Sequence, residues 1–149
     1  MQLKAATICA ILSAVLSPAL AIPANGNTSK TLKVTFDTFY DNPSTSLLSV
    51  ACSNGDNGLI SKGFTTFGSL PTRAIGGSQF IAGWNSDQCG SCWKLTYKGK
   101  SVHLLAVDTA GVGFNIAKGT FDYLADASAQ QAGSFEAAIE SLPASGCGF

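Results

Sequence analysis

Leu32, Val34 and Phe36 alternate with Lys33, Thr35 and Asp37. Successive side chains on a strand point to opposite faces, so this period of two predicts a half-buried β-strand. Tyr40-Asp41-Asn42-Pro43 ends it. Leu47 to Ala51 is a second short apolar segment that enters Cys52, and Ser53-Asn54-Gly55-Asp56-Asn57-Gly58 follows as a loop of residues that tolerate positive φ. From Leu59 to Leu70 no period is clear, and Phe80-Ile81-Ala82-Gly83-Trp84 is expected to form a further strand. The clearest unit runs from Cys92 to Asp108. Cys92 to Tyr97 and Ser101 to Asp108 flank Lys98-Gly99-Lys100, which predicts a β-hairpin.

Thr120 is placed to cap a helix carrying Phe121, Leu124, Ala125 and Ser128 on one face. Ser134 to Leu142 is ambiguous, because Phe135, Ala138, Ile139 and Leu142 also fit helical spacing until Pro143 and Gly146 end the segment. No repeat, linker or low-complexity stretch divides the chain. The pattern therefore predicts one mainly β domain with about one or two short helices.

The first residues do not belong to that pattern. Lys4 precedes an apolar run from Ala5 to Leu16, then small residues ending in Ala19-Leu20-Ala21. This reads as a secretory signal peptide over residues 1–21, cut after Ala21, with Ala24 the second choice; it is too short for a membrane anchor. Ile22 to Thr31 is expected to be a flexible arm before a domain at residues 32–149. Asn27-Thr28-Ser29 on that arm is an N-glycosylation sequon, so Asn27 is a candidate for modification.

Leader removal changes two counts. Cys9 leaves with it, so five cysteines become four: Cys52, Cys89, Cys92 and Cys147. Losing Lys4 leaves eight basic side chains against nine acidic ones, with no block of like charge, so nothing directs the protein to nucleic acid or anionic lipid. A surface poor in charge and rich in Gly, Ser, Thr and Asn suits a neutral polar partner.

Cys89-Gly90-Ser91-Cys92 has the spacing of a redox dithiol, half a zinc site, or the ends of two disulfides. A reactive thiol needs a helix N-terminus to lower its pKa, whereas Cys92 opens a strand. Zinc needs a second close pair, which Cys52, Cys147 and His103 do not supply. Two disulfides to the distant cysteines close long loops and stabilise most, with the connectivity left open. No metal or cofactor is expected.

His103 is the sole histidine. It lies mid-strand beside no Gly-x-Ser-x-Gly elbow and is expected to be satisfied by neighbours. Asp108 ends an apolar strand and enters Thr109-Ala110-Gly111-Val112-Gly113, where a rigid scaffold can present a carboxylate to a ligand. A glycosidase would need a second carboxylate, from Asp37, Asp41, Asp56 or Asp87. Of the aromatic side chains, Trp84 and Trp93 are expected to pack on the disulfides more than to form a binding platform.

Several motifs in one order go further: Val34-Thr35-Phe36-Asp37, Val50-Ala51-Cys52-Ser53-Asn54-Gly55, Gly83-Trp84-Asn85-Ser86 leading to Cys89-Gly90-Ser91-Cys92, Leu95-Thr96-Tyr97, and Val107-Asp108 followed by Gly113-Phe114-Asn115-Ile116-Ala117. Together they resemble the cerato-platanin family of small secreted fungal proteins, from about Leu32 to Phe149. The resemblance implies a six-stranded double-psi β-barrel with short helices and disulfides Cys52 to Cys89 and Cys92 to Cys147. It implies binding of chitin or N-acetylglucosamine oligomers, with Asp108 and Asn115 as groove residues. It also implies expansin-like, non-hydrolytic loosening of cellulose and, in many members, elicitation of plant defence. One departure is Phe36, where the family commonly has Tyr.

The leading expectation is thus a secreted carbohydrate-binding protein of the cell wall or host interface. It would be a monomer capable of self-assembly and would have no catalytic residue. The expected partners are chitin or N-acetylglucosamine oligomers, cellulose and a host plant receptor. An endoglucanase-like hydrolase using Asp108, or a surface-active interaction protein without sugar binding, are the alternatives.

Overall fold

The computed structural model describes residues 30–149. The expected leader, most of the arm and the Asn27 sequon lie outside the described residues. Six strands are formed: β1 (Thr31–Asp37), β2 (Ile75–Ser78), β3 (Cys92–Tyr97), β4 (Lys100–Thr109), β5 (Phe114–Ala117) and β6 (Phe135–Leu142). They close in the order β1-β5-β2-β4-β3-β6, with β6 paired back to β1. The β1/β5 and β2/β4 pairs are parallel and the other four antiparallel, the mixed six-stranded barrel expected from the resemblance. Two short helices follow β5: α1 (Lys118–Leu124) and α2 (Ala127–Ala132).

Register explains where the core sits. Val34 lies opposite Phe114 on one side and Phe135 on the other, so all three share a face. Leu95, Ile116 and Ala137 are likewise fully buried. β4 is different, because Leu104, Leu105, Ala106 and Val107 are all buried completely although neighbours must point to opposite faces. A second apolar layer therefore covers the outer face of β4. The segment between β1 and β3 supplies it, burying Leu47, Leu59 and Phe67 and bonding to β4 through Cys52 N–H to the Val107 carbonyl and Gly90 N–H to the Ala106 carbonyl. Each fully buried Leu or Ile contributes about 1.5–3 kcal/mol, against about 0.5–1.5 kcal/mol net for a hydrogen bond. The two apolar layers thus outweigh the ladder in holding strands of only four residues.

The disulfides run Cys52 to Cys89 and Cys92 to Cys147, with Cα atoms 5.3 and 5.7 Å apart. The first ties the covering segment to itself, and the second ties β3 to the C-terminus. The hairpin β3/β4 is as expected; Lys98 and Gly99 both have positive φ (45° and 82°), the conformation that matches strand twist at a two-residue turn.

Other expectations are corrected. Phe80–Trp84 is not a strand; the strand is Ile75–Ser78, whose Gly76-Gly77 pair gives no hydrophobic signal. The ambiguous segment Ser134–Leu142 resolves as strand β6 from Phe135, because Phe135 and Ala137 pair with β1 and Ile139, continuing the alternation, pairs with β3. Thr120 does not cap α1. The helix begins at Lys118, where the carboxylate of Asp41 accepts the Lys118 and Gly119 N–H groups at 3.2 and 3.0 Å. Ser128 belongs to α2, which Asp126 caps by accepting from Ala129 N–H. β1 opens at Thr31, the last residue of the expected arm and one before the expected start of the domain.

Candidate functional site

Asp108 sits near the end of β4, beside a bulge. Gly76 pairs with Ala106 but Gly77 pairs with Asp108, so Val107 is the extra residue. On its other side Gly77 pairs with Asn115 of β5. Asp108 and Asn115 therefore occupy one row of the sheet, about 10 Å apart at the usual strand spacing. Gly77 is glycine for a steric reason, since a Cβ there would run into the carbonyl of Thr109 at the end of β4.

The half-buried Asp108 carboxylate is largely committed. Oδ1 accepts the backbone N–H of Ala51 at 3.0 Å and of Thr109 at 2.8 Å, and Oδ2 accepts the Tyr40 hydroxyl at 3.2 Å. A carboxylate has about four acceptor positions; three are filled, and one on Oδ2 remains. Burial, followed by the neighbouring Asp108 charge, pushes the Tyr40 hydroxyl well above its ordinary value of 10.0, so it stays protonated and donates. Asn115 Oδ1 accepts from the Thr35 hydroxyl at 3.0 Å. Its amide nitrogen has no protein acceptor among the described residues and remains a donor for a ligand.

The Tyr40 side chain also forms one wall of a cleft of about 470 Å³, lined further by Asp41, Pro43, Arg73, Thr120 and Tyr123. Sequence reasoning missed this cleft. Tyr40 read as the end of a strand and as one of several aromatics that could stack on a sugar if exposed but belong more often to a core, and Arg73, the sole arginine of the chain, carried no signal beyond being alone. Two of the other carboxylates considered for acid–base work are helix and turn caps: Asp37 accepts from Phe39 N–H at 2.8 Å, and Asp41 holds the start of α1.

The remaining candidates separate. Phe36 packs against Phe121, with the Lys118 ammonium 4.9 Å above its ring. The phenol that reaches Asp108 belongs to Tyr40, so the missing hydroxyl at position 36 does not leave that carboxylate without one. His103 is satisfied by the Gly146 carbonyl at 2.8 Å; a carbonyl only accepts, so Nδ1 carries the proton. Trp93 is buried and stacks on Phe80 at 4.5 Å. Trp84 departs from expectation: it does not pack inward but is 64 % exposed, its Nε1–H donating to Asn54 Oδ1 at 2.7 Å.

The family model described as cerato-platanin matches residues 32–149. The chain belongs to the cerato-platanin family. A heat-stable 19 kDa antigen of Coccidioides immitis is 40 % identical over 141 residues, 93 % of this chain and 96 % of that one. The crystal structure of cerato-platanin 1 from M. perniciosa is 43 % identical, with a TM-score of 0.73 over 78 % of this chain and 98 % of that one. The solution structure of the fungal elicitor cerato-platanin is 36 % identical, with a TM-score of 0.69, covering 77 % and 95 %. Members are thus named as an antigen and as an elicitor, and the family's barrel is the one observed.

Proposed function

We propose that the chain is a secreted, non-catalytic protein that binds chitin or N-acetylglucosamine oligomers at the row formed by Asp108 and Asn115. The observation that carries this reading is the pair of unfilled valences there, one acceptor position on Asp108 Oδ2 and the donor amide of Asn115. An acetamido sugar offers the complement, an N–H or hydroxyl donor and a carbonyl acceptor. Catalysis is disfavoured because a general acid must present a proton to the glycosidic oxygen, whereas Asp108 already accepts three internal donors. Binding without cleavage also suits an expansin-like loosening of cellulose.

The test is titration with chitohexaose followed by backbone chemical shifts. Asn115→Ala is expected to weaken binding severalfold with the fold unchanged, since its amide nitrogen serves no protein group. Asp108→Ala is expected to weaken it further, because a hydrogen bond to a charged group is worth about 1.5–3 kcal/mol. Unchanged affinity in both variants would remove the row from the site, and reducing-end release lost in Asp108→Asn would make the chain a hydrolase. The antigen and elicitor among the relatives favour recognition by a host as the biological output; the chain's own elicitor activity on leaf tissue is the direct measurement.

A further inference from the structure

Trp84 is a large apolar side chain left in water, and what distinguishes it from exposed Leu48 or Val112 is that it is pinned. Its indole N–H is bonded to Asn54, on the loop after Cys52. That loop is locked to the tryptophan's own loop by two further bonds, Asn57 N–H to Asn85 Oδ1 and Asn57 Nδ2 to the Asn85 carbonyl, both 2.9 Å. Asn85 holds a left-handed φ of 58° to make them, and the Cys52–Cys89 bridge brackets both loops. The ring is fixed before any ligand arrives, so ordering costs that weaken most side-chain contacts are already met.

The surroundings choose the ligand class. Residues 53–58 and 82–88 contain Asp56 and Asp87 but no Lys or Arg. A nucleic-acid base, the other common stacking partner, would bring its phosphates to loops that carry two carboxylates and no cation of their own, the adjoining Lys62 lying over the Phe149 ring. A quaternary ammonium would need several rings, whereas one is present. A neutral ring with one apolar C–H face and a rim of hydroxyls fits a single flat indole beside the amides of Asn54 and Asn57. We propose that Trp84 is a stacking platform for one hexopyranose ring of a β-linked oligosaccharide, a subsite distinct from Asp108 and Asn115 that rests on the sugar-binding reading above.

The experiment titrates the full secreted chain with chitohexaose and, separately, cellohexaose, reading calorimetric affinity and indole emission. Trp93 is buried, so an emission shift reports Trp84. Trp84→Ala is expected to bind about tenfold more weakly, the change made by 1.4 kcal/mol of lost aromatic contact. Trp84→Tyr should recover most of the loss and Asn54→Ala should fall between, because it frees the ring without removing it. Equal affinity of Trp84→Ala and the parent would overturn the subsite while leaving the Asp108 row standing. Loss in Trp84→Ala with none in Asp108→Ala would uphold the platform and reject that row. Binding of neither oligomer by the parent chain would reject both, whereas a concentration-dependent dimer abolished by Trp84→Ala would assign the ring to self-contact and overturn the subsite alone.

Discussion

Tyr40 and Asp108 lie 68 positions apart, and their bond joins the turn after β1 to the end of β4. Tyr40→Phe removes that bond to a charged group and is expected to cost about 1.5–3 kcal/mol, measurable by urea unfolding at pH 7. The same pair sets a pH dependence. Because the native hydroxyl ionises above its ordinary value of 10.0, the unfolded chain releases this proton first as pH rises. The contribution is therefore fully present below pH 10 and is lost as alkalinity increases beyond it. Unfolding at pH 9 and pH 11 should show a fall in stability that is smaller in Tyr40→Phe than in the parent. An equal fall in both would mean that other groups govern the alkaline limb.

Among the elements, the approach of β1 to the turn before β5 is the least tolerant of change. Gly113 has φ 61°, and a Cβ there would collide with the Lys33 carbonyl. Gly113→Ala is expected to destabilise by about 2 kcal/mol or more, since neither backbone can yield without breaking the β1/β5 register. Asp126→Ala, which removes the α2 cap, should cost about 1 kcal/mol; thermal unfolding of the two variants separates the effects. The elements readable in the sequence are those whose signal is local. The β3/β4 hairpin announces itself through alternation and a Gly-containing turn. β2 and β5 do not, being four residues long, and β2 is half glycine. In β6, Phe135, Ala137 and Ile139 satisfy period two while Phe135, Ala138 and Ile139 satisfy helical spacing, so only pairing with β1 and β3 decides. α1 starts where it does because Asp41, 77 positions away, supplies its cap. The candidate site divides the same way: Asp108 is legible as a carboxylate at a strand end, whereas Tyr40 and Ala51 become its neighbours, and Arg73 a wall of the adjoining cleft, only once the barrel has closed.

For the whole molecule, two staples span 37 and 55 positions. Loop-closure entropy grows only with the logarithm of length, so replacing either pair by serines is expected to cost a similar amount, about 2–4 kcal/mol. The two double variants, compared by urea midpoint, would refute this if one were silent. The closed strand order has a separate consequence for assembly. Every strand has a hydrogen-bonded neighbour on both sides, so the sheet of the described residues offers no open row of amides and carbonyls on which another chain could template. Native particles that gather at an interface or in concentrated solution must therefore join through side chains, by exposed groups such as Leu48, Val112 and Tyr123. They should scatter as intact spheres, with no fibre reflection near 4.7 Å unless the barrel has first come apart.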